Sequence, residues 1–149
     1  IRIDGIGMQG HIGMDTPSLE EYEATINDYY QAGVKVLVTE LDLSALPSPW
    51  GMSANISDTV TYQKQINPYI DGLPQDEETK WENRFLDFFR LFLKHQDKIS
   101  RVTLWGVSDG DSWKNDFPVK GRTDYPLLFD RNYQAKPIVK GIIDMATEK

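Results

Sequence analysis

The chain has 149 residues, a formal charge of −7, no cysteine and a hydrophobic share of 40% that includes four Trp, seven Tyr and six Phe. That is enough apolar material for one packed domain and too little charge imbalance for a disordered chain. The acidic balance argues against a nucleic-acid partner, the longest apolar runs fall far short of the ~20 residues that cross a bilayer, and a cysteine-free chain has neither disulfides nor thiolate chemistry.

Ile1 to Ile12 is β-branched and punctuated by glycine, which predicts a buried strand running into a loop. The chain enters that strand directly, without an initiator Met, and reads as cut from something longer. Ser18 with Glu21 forms a capping-box pattern behind Pro17, and Leu19, Tyr22, Ile26 and Tyr29 recur at helical spacing up to Gly33. Residues 34–43 are nearly continuously apolar until acids appear at the end, as in a strand covered on both faces of a parallel sheet. Residues 44–76 read as a long surface loop with a short helix around Asp58 to Ile66. A strong helix is expected over Glu77 to His95, with Trp81, Phe85, Phe88, Phe89 and Phe92 on its apolar face and Asp76, Glu77 and Glu78 at its start. Ile99 to Val107 is a third strand, a Gly/Asp/Pro-rich loop runs to about Lys136, and Pro137 opens a last helix. Three strands alternating with three helices predict an α/β fold with right-handed crossovers.

Polar residues gather just past each strand: Gln9 and His11, then Glu40 and Asp42, then Trp105, Asp109 and Trp113. In parallel α/β sheets and barrels that edge is where sites are built. Gly5-Ile6-Gly7-Met8-Gln9-Gly10 spells a dinucleotide fingerprint, but no helix starts within its turn, so the glycines are better read as permitting close strand packing. Gln9 with His11, and Glu40 with Asp42, are each two residues apart and on extended backbone face the same way. One reading is a hydrogen-bonded polar plug. The other makes Glu40 a carboxylate nucleophile, oriented by His11 and Asp42, with Gln9 touching a hydroxyl-rich substrate. Trp105 and Trp113 on a glycine-rich loop suit the apolar faces of sugar rings. Trp81 reads as a core anchor, and His95 as a helix-terminal side chain without chemistry.

The stretches Asp4-Gly5-Ile6-Gly7-Met8-Gln9-Gly10-His11, Val38-Thr39-Glu40-Leu41-Asp42 and Trp105-Gly106-Val107-Ser108-Asp109-Gly110-Asp111-Ser112-Trp113 resemble glycoside hydrolase family 10, the endo-β-1,4-xylanases. All three occur in the family's order, and Leu127-Leu128-Phe129-Asp130 through Lys136-Pro137 fits as well. The resemblance implies a partial TIM (β/α)₈ barrel, its last three βα units, strands 6 to 8. It implies Glu40 as nucleophile of a retaining mechanism, His11 and Asp42 as its hydrogen-bond partners, and Gln9 as a contact to the sugar before the scissile bond. Trp105 and Trp113 would form the platform and wall of that subsite. It implies xylan or a xylo-oligosaccharide as ligand, no cofactor and no metal, and a secreted, periplasmic or cell-surface bacterial setting.

One element of the family's pattern is missing. A retaining glycosidase uses two carboxyl groups, and the family's acid/base Glu follows an Asn on an earlier strand. No Asn-Glu pair occurs in the chain, and Glu20, Glu21 and Glu23 lie on a helix out of reach. The expectation is therefore the C-terminal portion, over residues 1–149, of a catalytic domain that typically takes ~250 residues, inactive alone. Its open edges would associate with the N-terminal part of the same barrel or with a second copy. Rival readings are a non-catalytic carbohydrate-binding or assembly fragment, and a nucleotide-binding α/β domain.

Overall fold

The computed structural model describes residues 1–48 and 64–147. Four strands, β1 (Gly5–Met8), β2 (His11–Ile12), β3 (Lys35–Leu43) and β4 (Ile99–Leu104), alternate with helices α1 (Leu19–Gln31), α2 (Gln75–Lys94) and α3 (Pro137–Thr147). All strand pairs are parallel. β3 is central: β1 and then β2 run along one side of it, and β4 lies along the other. Parallel neighbours need crossover connections, and α1 and α2 supply them. The expected first strand is thus two short ones, and residues 1–4 stay outside the sheet. The third strand stops at Leu104 rather than Val107, where Gly106 turns away with φ +145°. The short helix expected around Asp58 to Ile66 lies largely outside the described residues, although 64–66 are helical.

The helices form as their end signals dictate. Ser18 accepts from the Glu21 N–H while the Glu21 carboxylate accepts from the Ser18 N–H, so two of the donors at the start of α1 are satisfied. Asp76, Glu77 and Glu78 stand in the first turn of α2, where the helix dipole favours anions. The apolar stripe of α2 buries Trp81, Phe85, Phe88 and Phe92 against Val36, Val38 and Leu41. Each such side chain contributes about 1.5–3 kcal/mol on burial. Trp81 is fully buried, and its indole N–H donates to the Leu43 carbonyl at 2.7 Å, which ties the helix to the end of β3. His95 is buried too, with Nε2 at 2.6 Å from Glu23 on α1. It locks two helices together rather than merely facing a dipole. No helix among the described residues is long and apolar enough to cross a membrane.

The helices cover one face of the sheet. On the other, a Cβ at Gly5 would meet Leu37 at 2.8 Å and one at Gly7 would meet Thr39 at 3.1 Å, which explains the first two glycines of the fingerprint-like motif as close packing. Leu37 and Thr39 are only half-buried there. Within the described residues the helix-packed face of β3 is fully covered and the opposite face, expected to be covered as well, only partly.

Candidate active site

A bulge in β3 builds the site. Between Met8↔Val38 and His11↔Asp42, and again between Val38↔Val102 and Leu41↔Leu104, β3 spends one residue more than its neighbour. Because side chains alternate along a strand, an extra residue swaps the faces. Before the bulge Val36 and Val38 point into the helix-packed core; after it Leu41 and Leu43 do, all four fully buried. Glu40 and Asp42 are thereby turned to the opposite side, at the C-terminal end of a parallel sheet.

On the neighbouring strand Gly10 has φ +91°, and a Cβ there would fall 2.8 Å from Val38. That kink interrupts the extended segment on which Gln9 and His11 were expected to face alike. His11 continues as β2, opposite Asp42, while Gln9 sits exposed in the bend. The Gln9 carbonyl accepts from the Glu40 N–H at 2.7 Å, so its backbone, not its side chain, touches the carboxylate strand.

His11 bridges both acids. Its Nδ1 lies 3.0 Å from Asp42 Oδ1 and its Nε2 lies 3.2 Å from Glu40 Oε2. An ionised carboxylate only accepts, and a neutral imidazole donates from one nitrogen alone. Both contacts are hydrogen bonds when His11 carries two protons, or when a proton resides on Glu40 and is donated to Nε2. The Glu40 side chain is 24% exposed and so reachable from solvent, whereas Asp42 is fully buried. Glu40 is held and aimed. Asp42 is locked.

Asp42 receives two further groups. The Trp113 indole N–H donates to Oδ2 at 2.9 Å, and Lys114 Nζ stands 3.4 Å from Oδ1 with its ammonium over the Trp113 ring at 5.0 Å. Trp113 also meets His11 edge-on at 5.1 Å and stacks obliquely on Phe117 at 5.1 Å. Trp105, just past β4, donates its backbone N–H to Leu41 and is 47% exposed; Trp113 is 40% exposed. Two partly bare indoles and an accessible carboxylate at one sheet edge can bind the C–H face of a sugar while the carboxylate reaches a polar centre. A cavity of about 540 Å³ opens beside His11 and Trp113, walled in part by Met14, Leu46 and Phe117. Among the described residues no group of three or more His, Asp or Glu side chains is arranged to hold a metal ion.

Asp109 does not join this cluster. It is almost fully buried and pairs with Lys136 at 2.7 Å, accepting from the Leu127 N–H as well. Burial pushes its carboxyl up and the Lys136 ammonium down, against the attraction between them. Its place is inside the loop that follows β4. That loop also contains a 3₁₀ turn (Asp109–Asp111) and two isolated bridges through Phe129.

Sequence reasoning passed over three contributors. Lys114 follows Trp113 directly, and that adjacency was the available signal. Asp124 anchors the start of the long loop by accepting from Ser44 Oγ and the Ala45 N–H, and Arg122 donates to the carbonyls of Pro47 and Ile66 on either side of residues 49–63. Nothing in local pattern pairs residues so far apart.

Residues 1–145 match the family described as Glycosyl hydrolase family 10. The chain is 48% identical over 145 residues to endo-1,4-beta-xylanase A of Xylanibacter ruminicola, covering 97% of this chain and 39% of that protein. It is 32% identical to an endo-1,4-beta-xylanase of Geobacillus stearothermophilus, again covering 39% of it. Among solved structures, a family 10 endoxylanase retrieved from a sugarcane soil metagenome superimposes with TM-score 0.83 at 47% identity, covering 96% of this chain and 40% of that one. A mutant structure in complex with xylotriose matches with TM-score 0.77 at 31% identity, covering 95% and 39%. The chain thus spans about two fifths of the length of the relatives it matches.

Proposed function

The chain belongs to glycosyl hydrolase family 10, and from that premise we propose that it is the C-terminal portion of a (β/α)₈ catalytic domain, its strands the sixth to eighth. The whole domain hydrolyses internal β-1,4-xylosidic bonds of xylan with net retention. The observation that carries this reading is the grip of His11 on Glu40 and Asp42 at the C-terminal edge of a parallel sheet, beside two partly bare indoles. The fully buried Asp42 orients the imidazole, and the imidazole orients Glu40.

In this mechanism Glu40 attacks the anomeric carbon to form a glycosyl-enzyme, while a second carboxyl group about 5–5.5 Å away protonates the leaving oxygen and then activates water. That acid/base Glu belongs to an earlier strand outside these residues. Trp105 and Trp113 form the platform and wall for the sugar, and Gln9, at the exposed bend, contacts its hydroxyls. By likeness to its bacterial relatives, the enzyme is assigned a secreted, periplasmic or cell-surface setting.

The 149-residue chain alone has no turnover, because removing the general acid/base costs on the order of 10²–10⁴ in rate and part of the cleft is missing. The test joins this chain behind the preceding portion of the Xylanibacter ruminicola relative and assays reducing-sugar release from xylan. Turnover by the joined protein, lost in its Glu40→Ala form and absent from the chain alone, is the expected result. Sugar binding without turnover in the joined protein would favour a non-catalytic carbohydrate-binding fragment. Vigorous turnover by the chain alone would end the argument that it lacks half its machinery.

A further inference from the structure

We propose that Lys114 is a positioning residue: its ammonium shares the Asp42 carboxylate with His11, and so sets how firmly His11 keeps the proton it presents to Glu40. The geometry carries this. Asp42 is fully buried, and its Oδ1 faces both His11 Nδ1 at 3.0 Å and Lys114 Nζ at 3.4 Å. Oδ2 is taken by the Trp113 indole N–H. The Lys114 side chain is itself only 15% exposed and lies over the Trp113 ring, so solvent screens it little.

The charge balance follows. With Lys114 present, two carboxylates face an ammonium and an imidazolium, and the cluster is neutral when His11 holds two protons. Take the ammonium away and the same protonation state carries one net negative charge. The buried Asp42 carboxylate then has no cation but His11, which binds its second proton more tightly. Lys114 thus loosens the proton that His11 shares with Glu40. The neutral indole of Trp113 cannot do this. His11 is contacted by Glu40 and Asp42 from β3 and by Trp113 from the loop after the 3₁₀ turn, and Lys114 of that loop reaches it through Asp42. Asp15, Arg122 and Asp124 line the adjoining cavity, and the last two are tied to backbone and to Ser44.

The consequence for catalysis rests on the reading of Glu40 as nucleophile; the proton balance does not, and the two fail separately. The chain has two histidines, so ¹⁵N-labelled imidazole resonances can be followed against pH by NMR and assigned with one His11→Asn sample. Lys114→Met and Lys114→Gln are expected to raise the His11 midpoint by about one pH unit, and Lys114→Arg to leave it near the parent value. His95, paired with Glu23 elsewhere, is the internal control for native structure. An unmoved His11 midpoint in both neutral variants overturns the proposal, as does an equal shift in the Arg variant. Loss of the native His95 signal in both neutral variants but not in the Arg variant assigns Lys114 to fold stability and overturns it too. Shifted midpoints in a joined protein that releases no sugar would leave this inference standing and sink the proposed activity.

Discussion

His11 and Asp42 are register partners across the parallel β2–β3 pair, and their side chains meet as His11 Nδ1 donates to Asp42 Oδ1 at 3.0 Å. A contact between side chains thirty-one residues apart is thus set by strand register, and a slip of one residue would move it to the other face of the sheet. Replacing Asp42 by Asn keeps the shape and breaks the logic. One amide oxygen cannot serve His11, Trp113 and Lys114, and the amide NH₂ must abut a donor. Asp42→Asn is expected to cost about 2–4 kcal/mol, read by urea unfolding, and to lower turnover of the joined protein. An unchanged unfolding midpoint would show that the three contacts carry no weight.

Glu40 should behave in the opposite way. It is partly exposed, and its side chain is held by His11 Nε2. Glu40→Gln is expected to leave stability within about 0.5 kcal/mol, as for substitutions outside the core. Under the proposed mechanism it lowers kcat of the joined protein by at least ~10³-fold. Retained turnover would remove Glu40 from the nucleophile's role.

Gly10 and Gly33 separate strain from packing. Both have positive φ, +91° and +88°. A Cβ at Gly10 would press on Val38 at 2.8 Å, whereas nothing lies within 4 Å of one at Gly33. Gly33→Ala therefore costs the left-handed penalty alone, about 1–2 kcal/mol. Gly10→Ala costs that plus displacement of a fully buried strand residue, and it also shifts His11 relative to Asp42. Thermal melts of the two variants, compared directly, check the ordering; equal losses would deny the packing role of Gly10.

Much of this was legible in the chain because it is encoded locally. The capping box at Ser18 and Glu21, the apolar stripe of α2 and the strand ending in Glu40 and Asp42 each follow from a few adjacent residues. The pairing of carboxylates with His11 followed once parallel neighbours were assumed. What stayed hidden is what depends on register. The bulge in β3 leaves no mark in a run of apolar residues, since either parity is compatible with it. The kink at Gly10 was masked by two glycines that serve packing instead. Asp109 looked like its neighbours at the strand ends, and only the fold shows that Lys136 and the Leu127 N–H claim it.

That buried pair makes the last prediction. Asp109 and Lys136 are both nearly inaccessible, and Lys136 also lies over the Trp81 ring at 4.2 Å and donates to the Tyr125 carbonyl. Removing one partner strands the other charge. Asp109→Ala leaves the ammonium without its counter-ion and should cost about 3–5 kcal/mol. Lys136→Met is different, because a carboxyl can escape by taking a proton. Burial already raises the Asp109 carboxyl above its ordinary value, and without the ammonium it rises further. The folded state then holds a proton that the unfolded state has released, so stability is full below the ordinary Asp value, about 3.9. It is lost as pH rises through the raised native value. Urea unfolding of Lys136→Met at successive pH values should therefore show falling stability toward neutrality, more steeply than in the parent chain. In the Asp109→Asn, Lys136→Met double variant, the Asn oxygen still accepts from the Leu127 N–H and no buried charge remains, so most of the loss and the added pH slope should disappear. A Lys136→Met variant whose stability tracks the parent at every pH would mean that Asp109 is not charged in the fold at all.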